Sequence, residues 1–139
     1  MENDEEIKIL LEKYVKKILT KSTRPPAVRK VKDAVIHVNS EEEFYEILKT
    51  NKIVVAEFSA SWCGPCYVYA PIFEQVAKNV AGKAVFVKID VDATPIVAQR
   101  FYVMSVPTTI IFVNGKPVQR IVGVIPEDRL QYYVETYLS

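Results

Sequence analysis

The sequence predicts an α/β fold: a mixed central β-sheet flanked by helices on both faces, preceded by an amphipathic helix outside the sheet. Three observations carry that prediction. Short β-branched apolar runs, such as Ile53-Val54-Val55-Ala56-Glu57-Phe58, alternate with stretches whose apolar residues recur three and four apart, such as Ile72, Phe73, Val76, Ala77 and Val80. Strand alternating with helix implies a sheet whose crossover helices cover it. Asn114-Gly115 between two apolar runs is a strong hairpin signal and adds antiparallel strands to the parallel ones. Both cysteines of the chain, Cys63 and Cys66, fall where a buried-looking strand hands over to a helix.

The elements follow in order. Ile7, Leu10, Leu11, Tyr14, Val15, Ile18 and Leu19 form one stripe at helical spacing, opposite Lys8, Glu12, Lys13, Lys16 and Lys17. This predicts an amphipathic helix over residues 4–20 whose apolar stripe must be covered by the parent domain, by a twin chain or by another partner, in preference to a membrane surface. Thr20 to Lys32, with Pro25-Pro26 and five basic residues, reads as an extended linker. Residues 1–32 are therefore an appendage and 33–139 the domain proper. That domain opens with the strand Ala34 to Val38. Ser40 and Glu43 have the form of a capping box for a helix through about Lys49. The strand ending at Phe58 comes next, then a helix from Cys63 to about Ala81 that ends at Gly82 and is kinked by Pro71. Ala84 to Asp90 reads as a buried strand, and Thr94-Pro95 as the cap and first position of a helix to about Tyr102. Thr109 to Val113 and Pro117 to Val122 make the hairpin. Gly123 permits a bend, and Pro126 starts a last helix that buries Leu130, Tyr133, Val134, Tyr137 and Leu138.

Composition narrows the function classes. The formal net charge is +1, which gives no reason to expect a nucleic-acid partner, but it is unevenly placed. Residues 1–32 carry nine Lys or Arg against five Asp or Glu, and residues 33–139 carry nine against twelve, so the two parts have opposite signs. No stretch approaches the ~20 apolar residues of a membrane span. The acidic start, Met1 to Glu6, does not resemble a secretory signal, so a cytoplasmic location is expected. Two cysteines are too few for a disulfide framework, and a reducing compartment suits a redox couple.

Two sulfurs three positions apart are a redox couple, half of a metal site or a structural pair. A tetrahedral metal site needs about four protein ligands, whereas the chain supplies two cysteines and one histidine, His37, far off in sequence; a closed site would need a second subunit. A structural pair does not explain Trp62 before the cysteines or Gly64-Pro65 between them at a helix start. A thiol at Cys63 would feel the unpaired N–H groups and positive dipole end of the helix, which favour the thiolate. Cys63 is therefore the expected nucleophile and Cys66, one turn on, the more shielded partner. Glu57 is the odd residue in its strand, because a carboxylate patterned for burial is expensive unless paired or used in chemistry. His37, inside the first strand, reads as a structural or surface residue.

With these residues in place, residues 33–139 resemble the thioredoxin family. The resemblance rests on Trp62-Cys63-Gly64-Pro65-Cys66, Pro71 in the following helix, Lys88 and Asp90 in the third strand, Val106-Pro107-Thr108, the Asn114-Gly115 hairpin and Gly123 after it. It implies a thioredoxin fold in which Pro107 is cis and the Val106 backbone meets an extended substrate beside the cysteines, with Trp62, Ala60, Gly64, Pro65 and Gly123 lining the same surface. It also implies a protein-disulfide reductase that carries no bound cofactor. Its working group is a redox-active Cys63–Cys66 disulfide, its substrates are disulfide-containing proteins, and a thioredoxin reductase recharges it. Gly64-Pro65 resembles the reducing members. Glu57 and Lys88 match the positions of the family's buried aspartate and nearby lysine, which are thought to help Cys66 lose its proton; glutamate is one methylene longer. Ser59 replaces the first tryptophan of the family's Trp-Ala-x-Trp run, whose packing over the helix must be made another way. A different class of reading is a binding module in which the fold and its amphipathic helix dock onto a complex and redox activity is secondary.

Overall fold

The structure is a computed structural model that describes residues 34–138. The expected helix at 4–20, the linker to Lys32 and the partner that would cover the apolar stripe lie outside those residues.

Strand β1 (Val35–Val38) leads into helix α1 (Glu41–Thr50), then β2 (Ile53–Ser59), α2 (Gly64–Asn79), β3 (Val85–Asp90), α3 (Pro95–Arg100), β4 (Thr108–Val113), β5 (Lys116–Val122) and α4 (Glu127–Thr136). The strands form one sheet in the order β1-β3-β2-β4-β5. The pairs β1/β3 and β3/β2 are parallel, while β2/β4 and β4/β5 are antiparallel. This is the mixed sheet that the alternating pattern predicts, and β2 sits at its centre.

Every residue of β2 is buried. Because side chains alternate across a strand, Ile53 and Val55 enter one core layer, with Tyr69, Phe73 and Val76 of α2 and Leu130 and Val134 of α4. Val54, Ala56 and Phe58 enter the other, with Phe44 and Leu48 of α1 and Val97 of α3. Aromatic rings brace both layers. Phe112 lies 5.7 Å from Phe44 and 5.1 Å from Phe101 in edge-on geometry, and Phe73 lies 5.0 Å from Phe86 on the opposite face. Burying each such ring contributes roughly 1.5–3 kcal/mol. Glu57 follows the alternation onto the α2/α4 face.

Local chemistry explains most boundaries. Ser40 caps α1, its hydroxyl accepting from the Glu43 N–H at 3.2 Å. Asn114 and Gly115 both have positive φ (54° and 82°), as a two-residue hairpin of the favoured twist requires. A bulge between Ile111 and Phe112 places Pro117, which has no N–H to offer the ladder, opposite Phe112. Two boundaries differ from expectation. Helix α2 stops at Asn79 with Val80 as its cap, and Gly82 (φ 86°) serves the turn that follows, closed by Lys83 N–H to Val80 O at 3.0 Å. Helix α3 is shorter than expected because Tyr102 takes a left-handed φ of 57°. Thr94 occupies its cap position without capping by side chain; the hydroxyl donates instead to Asp90 O at 2.9 Å, tying α3 to the end of β3.

Candidate active site

The site forms where β2 ends. Cys63 is the N-cap of α2, in extended backbone, and its Sγ accepts from the Cys66 N–H at 3.2 Å. That bond satisfies one of the helix's otherwise unpaired N–H groups and sets the sulfur in the positive field of the helix end. Pro65 fills the first turn, where its missing N–H loses nothing, and Gly64 leaves open space above the turn. Cys63 and Cys66 are joined as a disulfide, with their Cα atoms 5.3 Å apart. The expectation that Cys66 is the more shielded of the two is not met in this state, since each is 3% exposed. With the sulfurs bonded, both tuck against Ala60, Val91 and Val106.

The Val106–Pro107 peptide is cis, as the resemblance implied. The Val106 carbonyl oxygen lies 3.6 Å from Cys63 Sγ. No proton remains on sulfur in the disulfide, so this is a contact that becomes a hydrogen bond only in the dithiol. Gly123 joins the same surface: its N–H donates to Pro107 O at 2.8 Å, from a φ of 91° that favours glycine. Thr108 steadies the loop by donating to Ser105 O at 2.7 Å. Trp62 stands 68% exposed beside the disulfide, held by its indole N–H donating to Asp92 Oδ2 at 2.8 Å. Sequence reasoning missed Asp92, because nothing in a turn aspartate points to an indole thirty residues away.

Glu57 is fully buried, and neither of its carboxylate oxygens has a hydrogen-bond partner among the described residues. Lys88, paired directly across from it on β3, brings Nζ to 4.0 Å, which is attraction without a hydrogen bond. Burial raises the Glu57 pKa to about 7, and Lys88 opposes that only in part. On the other flank Thr109 is its cross-strand partner on β4, and the Thr109 hydroxyl is bonded at 2.9 Å to Tyr69 of α2. Burial pushes the Tyr69 phenol far up, so it stays protonated. Tyr69 and Thr109 were also missed, although Tyr69 shares a helical stripe with Cys66, Phe73 and Val76 and could have been read as core.

Ser59, where the resemblance expects tryptophan, is buried and small. In place of a ring there is a cleft of about 220 Å³ whose walls include Ser59, Cys66, Tyr67, Lys88 and His37. Tyr67, exposed in the first turns of α2, donates its hydroxyl to Ser61 O at 2.7 Å.

A sulfur–sulfur bond at the positive end of a helix, next to a backbone edge able to meet an extended peptide, is built to exchange partners with another thiol or disulfide. Fold and site together define a thiol–disulfide oxidoreductase. The family model described as Thioredoxin matches residues 35–136. Over 92 residues the chain is 44% identical to a thioredoxin of Mycobacterium tuberculosis, covering 66% of this chain and 79% of that one. It is 43% identical over 88 residues to a bifunctional thioredoxin reductase/thioredoxin of Mycobacterium leprae, covering 63% of this chain but only 19% of that longer protein. Among solved structures, a mutant thioredoxin from Halobacterium salinarum superposes with a TM-score of 0.71 at 34% identity, covering 78% of this chain and 94% of that one. The chain belongs to the thioredoxin family, and its chemistry is dithiol–disulfide exchange through the Cys63/Cys66 pair.

Proposed function

We propose that this chain is a general protein-disulfide reductase that keeps cytoplasmic thiols reduced and is recharged by a thioredoxin reductase. The observation that carries the reading is the Cys63–Cys66 disulfide at the start of α2, with Cys63 Sγ 3.6 Å from the Val106 carbonyl beside a cis Pro107. The Cys63 thiolate attacks a substrate disulfide and forms a mixed disulfide. Cys66 loses its proton, attacks Cys63 Sγ and releases the reduced substrate, leaving the pair oxidised. Val106 and Pro107 receive the substrate backbone, with Trp62, Gly64, Pro65 and Gly123 around them. Glu57, whose burial raises its pKa to about 7, takes up the Cys66 proton through water, and Lys88 steadies the carboxylate when the proton leaves.

The Mycobacterium leprae relative, a bifunctional thioredoxin reductase/thioredoxin, supports a reductase as electron donor. Among the described residues no helix is long and apolar enough to cross a membrane. In this reading residues 33–139 do the chemistry, and residues 1–32 are an appendage to them.

The test is a reductase-coupled assay on a disulfide-bonded protein. Cys63→Ser should abolish turnover, and Cys66→Ser should accumulate mixed disulfides visible on a non-reducing gel. Multiple turnovers by Cys66→Ser would sink the two-cysteine mechanism.

A further inference from the structure

His37, Lys88 and Glu57 stand in one row across three neighbouring strands. Lys88 of β3 is the register partner of His37 on one side and of Glu57 on the other. Directly paired residues face the same side of a sheet, so all three point to the α2/α4 face, in step with Val35, Phe86 and Val55 two positions before each of them. The row is graded in exposure. Glu57 is fully buried, the Lys88 side chain is 24% exposed, and His37 lies in the open on an edge strand. The cleft beside Ser59 runs along the accessible part of this row, because Lys88 and His37 form part of its wall together with Cys66. Its volume of about 220 Å³ leaves room for several waters.

We propose that His37 is the outlet for the proton released by Cys66: it takes that proton from the water of the cleft and passes it to solvent. The inference rests on the dithiol mechanism above and adds a residue to it. When Cys66 closes the disulfide, its sulfur gains a bond to Cys63 Sγ, the Cys63–substrate bond breaks with its electron pair leaving on the substrate sulfur, and the Cys66 proton must go elsewhere. Glu57 can hold that proton, but among the described residues its carboxylate has no hydrogen-bond partner to pass it on, and Glu57 does not line the cleft. Among the described residues, the charged and titratable groups that share the cleft wall with His37 are Lys88 and Asp90 from β3 and Tyr67 from α2, with Glu57 behind Lys88. An ammonium has no room for another proton, a carboxylate holds one too weakly near neutrality, and a phenol gives its own up too reluctantly. Imidazole is the side chain that both takes and releases a proton there. His37 does not touch sulfur and is a proton-relay residue acting through water.

The experiment mixes the reduced full-length protein with a small aromatic disulfide whose thiolate absorbs visible light, in dilute buffer, and follows two equivalents of release. The first reports attack by Cys63 and the second closure by Cys66. His37→Ala should leave the first phase unchanged and slow the second about tenfold near pH 7, less than the ~10²-fold of a general base in direct contact. Added imidazole should restore the second phase, and the defect should vanish above about pH 9, where a thiol ionises unaided. If the alanine variant loses its sheet by circular dichroism, His37→Gln carries the same test. A second phase equal to the parent's, or one slowed equally at every pH and indifferent to imidazole, would overturn the proposal. A parent protein that releases only one equivalent would bring down the dithiol reading itself.

Discussion

At the scale of single residues, Glu57 dominates the physical chemistry of the domain. Its carboxyl has an ordinary value of 4.5 and is held near 7 by burial, with Lys88 pulling the other way. Between those two values the folded protein keeps a proton that the unfolded chain has already released. Stability from this group is therefore intact below about pH 4.5, falls as pH rises, and is about 3 kcal/mol lower above pH 7, at ~1.4 kcal/mol per unit. Glu57→Gln removes the titration. Urea unfolding of the oxidised protein at pH 5 and pH 8 should show the variant gaining on the parent by about 2.5 kcal/mol at the higher pH, because part of the loss is already present at pH 5. A parent–variant difference that stays constant with pH would mean that Glu57 ionises freely in the fold. The sequence announced this residue, because a lone carboxylate in an apolar run is visible without coordinates. It did not announce Tyr69, Thr109 or Asp92, whose roles depend on neighbours forty and thirty residues away.

At the scale of elements, legibility followed the reach of the governing interaction. The Ser40 cap, the Asn114-Gly115 turn and the stripe on α4 are decided within a few residues, and each appears where the sequence placed it. The cap and the end of α3 are decided by tertiary contacts. The Thr94 hydroxyl bonds to the end of β3 instead of its own helix, and the Arg120 guanidinium from β5 donates to the Phe101 and Tyr102 carbonyls where α3 ends. Neither preference can be read from a local window. The hairpin also gives a local test. Asn114 holds φ at 54° without the freedom of glycine, and asparagine tolerates that region better than residues with an apolar Cβ branch. Asn114→Ala should destabilise the protein by about 1 kcal/mol, read from the chemical-denaturation midpoint, whereas Asn114→Gly should be close to neutral.

At the scale of the whole molecule, one strand organises everything else. β2 has a parallel neighbour on one side and an antiparallel neighbour on the other, contributes to both core layers, and delivers the chain directly to the cysteines. Native-state hydrogen exchange should therefore find its amides among the slowest, opening only with global unfolding, and the edge strand β5, with most of its residues exposed, among the fastest. Fast exchange across β2 would mean that the site rests on a locally yielding frame. Trp62 adds a further consequence. It is the only tryptophan in the chain, and it sits on the surface next to the disulfide, not in the core. The intrinsic fluorescence of this protein is thus a label already attached to its working edge: docking of a partner or opening of the sulfur bond changes the surroundings of the one indole, while loosening of the aromatic core is left to tyrosine signals and circular dichroism.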